Sequence, residues 1–174
     1  MFYIKSIIFF IPLILFLSCS SGEPKPSDEK FAERAIYISY SSSKHLNSYN
    51  NQPHVIPLVI YQLSDRTGFD ALSKDQAGII KLLQAKKFDD TVMNVTKHYV
   101  SPGENNAILL DRSAKTVWVA LVAGYYEMQP EQETIIYQTP SYNGWKFWAS
   151  EKRQKLLETK IYFDKSSMEQ RQKR

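Results

Sequence analysis

Beyond residue 34, short runs of β-branched and aromatic residues recur, each bounded by turn formers, and this recurrence limits the fold more than any other feature. "AIYISYS" (35–41) alternates and reads as a first strand, and "VIPLVIYQL" (55–63) reads as a second. Pro57 donates no ladder hydrogen bond, so the start of that second strand is expected at a sheet edge or bulge. "DTVMNVTKHYV" (90–100) and "AILLD" (107–111) are expected to pair as a hairpin around "SPGENN". There Pro102 presets the first turn dihedral and Gly103 takes the positive φ of a type II turn. "TVWVALVAGYY" (116–126) is apolar on both faces, as a central strand is. "TIIYQ" (134–138), "WKFWA" (145–149) and "ETKIYFD" (158–164) follow, with "PSYNG" as a turn between the first two. Between the second and third strands, Phe69, Leu72, Ile79, Ile80 and Leu83 fall at helical spacing, giving one helix or two short ones. Ser64 or Asp65 is its candidate cap and Gly78 weakens its middle. The sum is an all-β chain, a β-sandwich with one short helical insertion.

The front end has a different character. "MFYIKSIIFFIPLILFLSC" carries one cation, Lys5, then an apolar run from Ile7 to Leu17, then Ser18 and Cys19. This is the pattern of a secretory leader, and the run is shorter than the roughly 20 residues a spanning helix needs. A small residue directly before a cysteine resembles the bacterial lipobox, although Phe16 and Leu17 are bulkier than usual there. That resemblance implies acylation at Cys19; the alternative is an ordinary cleaved leader that contains a cysteine. The segment from Ser20 to Lys30 is small, charged and proline-bearing, as a tether is. Two or three acyl chains hold a protein on a bilayer, each buried methylene contributing about 0.8 kcal/mol. Ser20, rather than Asp, follows the cysteine, and by resemblance to enterobacterial sorting rules this directs the protein to the outer membrane. The expected organisation is a leader over 1–18, a lipidated tether over 19–33, a sandwich over 34–165 and a disordered basic tail over 166–174.

Chemistry is scarce. Cys19 is the single cysteine, which excludes an intramolecular disulfide and a cysteine-rich zinc module. His45, His54 and His98 have no metal-ligand spacing, and no G-x-S-x-G, glycine-rich phosphate loop or H-E-x-x-H occurs. Glu104, Asp111, Glu127 and Glu131 stand near predicted turns and strand ends, where solvation explains them. The net charge of +4 is scattered rather than striped, which disfavours nucleic acid. Binding, without a catalytic residue, a cofactor or a metal, is the expected class of function.

One connection is too long for a hairpin. "SSSKHLNSYNNQPH" (41–54) joins the first two strands, where two to five residues are usual. Leu46 and Tyr49 stand among Asn and Ser, so an aliphatic and an aromatic anchor inside a hydrogen-bonding rim are expected, as at protein-recognition surfaces. A mobile loop with Tyr49 folded back on the sandwich is the plainer alternative.

The order of these features carries a resemblance. A lipoprotein leader, "LNSYNNQPHVIPLVIYQLSDRTGFDAL", "YVSPGENNAILL" and "VWVALVAGYY" together resemble the outer-membrane lipoprotein of the type VI secretion system, the TssJ/SciN family. The matching features are Asn47 to Pro53, Val59 to Leu63, Phe69 with Leu72, Pro102-Gly103, and Val117 to Tyr126. The resemblance implies a transthyretin-like β-sandwich of seven to eight strands with added helices, and no reaction. It also implies a place: lipid-anchored on the periplasmic face of the outer membrane. Members hold the periplasmic C-terminal region of the inner-membrane component TssM, with TssL in the same complex, largely through the loop between the first two strands. Carried onto this chain, the contact residues are Lys44, His45, Leu46, Asn47, Tyr49, Asn50, Asn51 and Gln52. The competing expectation is a periplasmic lipoprotein sandwich that stacks a small ligand or glycan on Tyr142, Trp145 and Trp148.

Overall fold

A computed structural model describes residues 30–140 and 156–171. Cys19 and the expected strand at 145–149 lie outside the described residues. The elements run β1 (Ala32–Ser42), β2 (Ile56–Leu63), α1 (Thr67–Leu72), α2 (Gln76–Leu83), β3 (Val92–Val100), β4 (Asn105–Arg112) and β5 (Trp118–Ala123). They continue as α3 (Pro130–Glu133), β6 (Thr134–Gln138), β7 (Leu157–Phe163) and β8 (Met168–Gln170). Two four-stranded sheets result, ordered β4-β1-β7-β8 and β3-β2-β5-β6. The β1–β7 pair is parallel and the other pairs are antiparallel.

Alternation places the two cores. Ile56, Leu58 and Ile60 of β2 face Ile36, Ile38 and Tyr40 of β1 across the space between the sheets, joined by Val119, Leu121, Ile161 and Phe163. The intervening residues Val59, Tyr61 and Leu63 point the other way, where Phe69 of α1 with Ile79 and Leu82 of α2 cover them. β2 and β5 are therefore buried on both faces, which accounts for their unbroken apolar runs. Fully burying one such side chain contributes roughly 1.5–3 kcal/mol. Gln62 is the buried polar exception on β2: its Nε2 donates to the Asp111 carbonyl at 2.9 Å, and its Oε1 accepts from Ser113 N–H at 2.7 Å. Those bonds tie β2 to the end of β4 in the opposite sheet.

Four expectations change. β3 and β4 are not hairpin partners; β3 pairs with β2 and β4 with β1, so the Pro102-Gly103 turn carries the chain from one sheet to the other. Val100 and Ile108 accordingly enter the same core from opposite sheets. The turn itself is as expected in sign, with Gly103 at φ +70°. Pro57 lies on an inner strand rather than an edge. Its carbonyl accepts from Gly124 N–H at 2.9 Å, just past the end of β5 at Ala123, so the missing donor falls where the ladder already stops. The helical insertion takes the two-helix form, and its first cap position is Arg66 rather than Ser64 or Asp65, although Asp65 Oδ1 accepts from Thr67 N–H at 2.8 Å. Asp75 caps α2 instead, its Oδ1 accepting from Gly78 N–H at 2.8 Å. Gly78 does more than weaken a helix: a Cβ there would stand 1.8 Å from the Leu72 carbonyl oxygen, so only glycine permits α2 to pack against the end of α1.

The fourth change concerns the tail. Ordered structure reaches Arg171 instead of giving way to a disordered segment at Ser166. Asp164 N–H bonds the Ser167 carbonyl at 2.8 Å, closing a turn that returns β8 onto β7. The single apolar residue of that stretch, Met168, is buried in the inter-sheet core and holds it down.

Candidate functional site

The β1–β2 connection, residues 43–55, stands at one end of the sandwich and is held in one shape by its own chain. Ser43 N–H bonds the Phe163 carbonyl at 2.8 Å, and Gly103 N–H bonds the Ser43 carbonyl at 3.0 Å, which fixes the loop's base. Leu46 is wholly buried in the inter-sheet core. It is a pin driven inward, not the surface anchor that its polar neighbours suggested.

Asn47 does the joining. Its backbone N–H donates to the Lys165 carbonyl at 2.9 Å, and its side-chain Oδ1 accepts from Tyr126 N–H at 2.8 Å. Its own carbonyl lies 3.3 Å from Nδ1 of His54. Loop, the segment after β5 and the β7–β8 turn therefore meet on one residue. Beyond it, Tyr49 and Gln52 exchange two backbone hydrogen bonds of 3.0 Å around Asn50 and Asn51. Asn47, Asn50 and Asn51 have φ of +47°, +51° and +60°, a left-handed conformation that asparagine tolerates better than other side-chain-bearing residues. Two successive positive φ values are the type I′ turn pattern. The asparagine richness thus has a backbone cause.

The turn lifts an aromatic into solvent. Tyr49 is 58% exposed, and the equally exposed ring of Tyr126 lies 5.4 Å from it, tilted by 34°. His54 meets Tyr126 edge-on at 5.2 Å. Beside the pair runs a shallow crevice lined by Asn47, Ser48, Tyr125, Glu127 and Lys165, among others. Tyr125 is buried, and burial, with Asp164 nearby, pushes its phenol far above its usual range; its hydroxyl donates to the Ser167 carbonyl at 2.6 Å.

Of the residues expected at a contact surface, Lys44, His45, Tyr49, Asn50, Asn51 and Gln52 are exposed, whereas Leu46 and Asn47 are buried. Tyr126 and His54 were missed. Tyr126 was legible in part: in "VALVAGYY" the odd-numbered residues Val119, Leu121, Ala123 and Tyr125 face the inter-sheet core, and the even ones face the other side, where Ala120 and Val122 are buried in the second cluster and Tyr126, beyond the strand, is exposed. Its meeting with Tyr49 was not.

A second polar cluster lies at the β3–β4 turn. The Tyr40 hydroxyl donates to Glu104 Oε1 at 2.9 Å and lies 3.0 Å from His98 Nε2. Burial, and then the Glu104 contact, push the Tyr40 phenol well up, so it stays protonated. Burial alone would raise Glu104, but hydrogen bonds from Ser101 N–H, Asn106 and Tyr40 outweigh it and hold the carboxylate below its ordinary value. A protonated phenol bound to an ionised carboxylate is a tie, not a nucleophile and base. Among the described residues, no three His, Cys, Asp or Glu side chains stand close enough to hold a metal ion. No helix among them is long and apolar enough to cross a membrane.

Residues 34–160 match the family model described as "Type VI secretion lipoprotein, VasD, EvfM, TssJ". The chain belongs to the type VI secretion lipoprotein family. No curated protein matches it closely in sequence. Solved structures show that the family fold is present. Lip of Serratia marcescens, a membrane-bound component of the type VI secretion system, superposes with a TM-score of 0.65 at 16% identity, over 80% of this chain and 98% of that one. The lipoprotein TssJ1 of Pseudomonas aeruginosa gives 0.60 at 16% identity, over 84% and 99%. A chain in the structure of the TssM C-terminal domain from EAEC gives 0.59 at 12% identity, over 79% and 98%. As a type VI secretion lipoprotein with this family's sandwich, the chain carries its candidate surface on the loop after β1.

Proposed function

We propose that this type VI secretion lipoprotein is acylated at Cys19, sits on the periplasmic face of the outer membrane, and grips the periplasmic C-terminal region of a TssM-like inner-membrane protein, TssL belonging to the same complex. No chemical step is involved; the protein is a mechanical post. The observation that carries the reading is the loop's built shape. Leu46 is pinned in the core, Asn47 is bonded to two other segments, and Tyr49 is presented beside Tyr126. A preformed aromatic pair with a polar surround loses little conformational entropy on binding, which suits a recognition surface. Family membership supports the secretion role, and a chain sharing this fold occurs in a structure of the TssM C-terminal domain. The contact surface proposed is Lys44, His45, Tyr49, Asn50, Asn51 and Gln52, extended by Tyr126 and His54. Leu46 and Asn47 support it from within. The competing ligand-stacking residues Tyr142, Trp145 and Trp148 lie outside the described residues, and no observation favours that reading.

Membrane fractionation with labelled palmitate tests the anchor. Wild-type protein is expected to carry label and float with outer membranes, and Cys19→Ser to lose both. Unlabelled, soluble wild-type protein would overturn it. Capture of the purified TssM C-terminal region tests the grip, and equal capture after replacement of residues 48–53 by a Gly-Ser linker would overturn the loop's role.

A further inference from the structure

We propose that Asn94 and Asn106 guard one flank of the sandwich against strand addition by a second copy of this chain. The inference is independent of which protein the loop grips.

Both sheets end on the same side. Among the described residues, β3 is the edge of one and β4 the edge of the other, and the Pro102-Gly103 turn joins them. These are the long edges, nine and eight residues, whereas β6 and β8 on the opposite flank have five and three. A long open edge is a template for pairing, and a second copy offers the same edge in reverse, so the contact would be self-complementary. The flank is also apolar enough to reward it: Tyr99 is 58% exposed and Leu109 is 41% exposed.

The ladder geometry shows which backbone groups are open. Ser42 N–H bonds the Glu104 carbonyl, so the even-numbered backbone groups of β1 and β4 face one another and Ala107 N–H points outward. Gly124 N–H bonds the Pro57 carbonyl, so odd-numbered groups of β2 face β5 and even-numbered ones face β3. In the β2–β3 register Tyr61 stands opposite Val95, which leaves Val95 N–H pointing outward too.

Each of these two donors is occupied from its own strand. Asn94 Oδ1 accepts from Val95 N–H at 2.9 Å, and Asn106 Oδ1 accepts from Ala107 N–H at 2.8 Å. The Asn106 amide is oriented independently, because its Nδ2 donates to Glu104 Oε1 at 3.1 Å. An incoming strand must break one such bond on each edge to form its ladder bonds at Val95 and Ala107. Asparagine at these strand positions is otherwise unfavourable, since its propensity is for turns.

The test uses the full chain purified in detergent, with residue-resolved hydrogen exchange and sedimentation. In the wild type, Val95 and Ala107 amides are expected to exchange about fivefold more slowly, relative to intrinsic rates, than the outward amides of Lys97 and Leu109, the factor that one net hydrogen bond gives. N94A/N106A is expected to erase that difference and to double the sedimenting mass at high protein concentration. N94D keeps the acceptor oxygen and is expected to keep slow exchange at Val95. An N94A/N106A protein of wild-type mass overturns the guarding role, and fast wild-type exchange at Val95 and Ala107 overturns the bonds themselves.

Discussion

The Asn47 side chain accepts the backbone N–H of Tyr126 at 2.8 Å, so a loop between the first two strands and the segment after the fifth are fastened as one surface. The bond is shielded, since Asn47 is 6% exposed, and it sets the position from which Tyr126 meets Tyr49. Asn47→Ala leaves that N–H unpaired and puts alanine at φ +47°. A loss of about 1–3 kcal/mol in urea unfolding is expected from the unpaired donor. Increased hydrogen exchange confined to residues 43–55 and Tyr126 identifies the loop as the part released.

If Tyr126 belongs to the gripping surface, its removal weakens capture of the TssM C-terminal region as Tyr49→Ala does. Central aromatic anchors typically lose at least ~2 kcal/mol on truncation, about a thirtyfold drop in affinity. Titration calorimetry of Tyr49→Ala, Tyr126→Ala and the pair checks this. Because the rings touch, the double variant is expected to lose less than the sum of the two.

Gly78→Ala is expected to be severe despite alanine's better helix propensity. The new methyl would lie 1.8 Å from the Leu72 carbonyl oxygen, and backbone on both sides leaves little to yield. A loss above about 3 kcal/mol is expected, in the class of overpacked cores. Gly103→Ala, whose Cβ would meet only the Lys44 side chain at 3.5 Å, is the milder comparison, limited to the strain of φ +70°. Thermal unfolding of the two separates steric collision from backbone strain.

Glu133 makes stability depend on pH. It is wholly buried, Oε2 has no hydrogen-bond partner among the described residues, and burial raises its carboxyl from 4.5 to about 7. The folded state therefore holds a proton that the unfolded state releases first. Its contribution is greatest below pH 4.5 and declines as pH rises toward 7, at a cost of up to about 3 kcal/mol above that. Glu133→Gln keeps the shape without the charge. Urea unfolding at pH 8 is expected to find it more stable than wild type, with the difference vanishing near pH 4.

Local elements were readable because local chemistry decides them. Short β-branched and apolar runs between turn formers marked β1 through β7, helical spacing marked the insertion under Phe69 and Ile79, and Pro102-Gly103 marked a turn. The candidate loop was readable from its length, and part of its surface with it. Leu46 was misjudged because polar neighbours in sequence say nothing about which way one side chain turns. Tyr126 was missed because no sequence signal links it to Tyr49.

What the amino-acid order alone determined, then, is which face of each strand is apolar, where the chain turns and which short segments are helical. Only the tertiary structure decided that β3 and β4 part into different sheets, that β1 takes β7 as a parallel neighbour, and that a buried methionine returns β8 to the domain. The reason is physical. Side-chain patterning encodes inside and outside, but the backbone groups that pair strands are the same in every residue except proline, so strand neighbours are chosen by how the whole core closes.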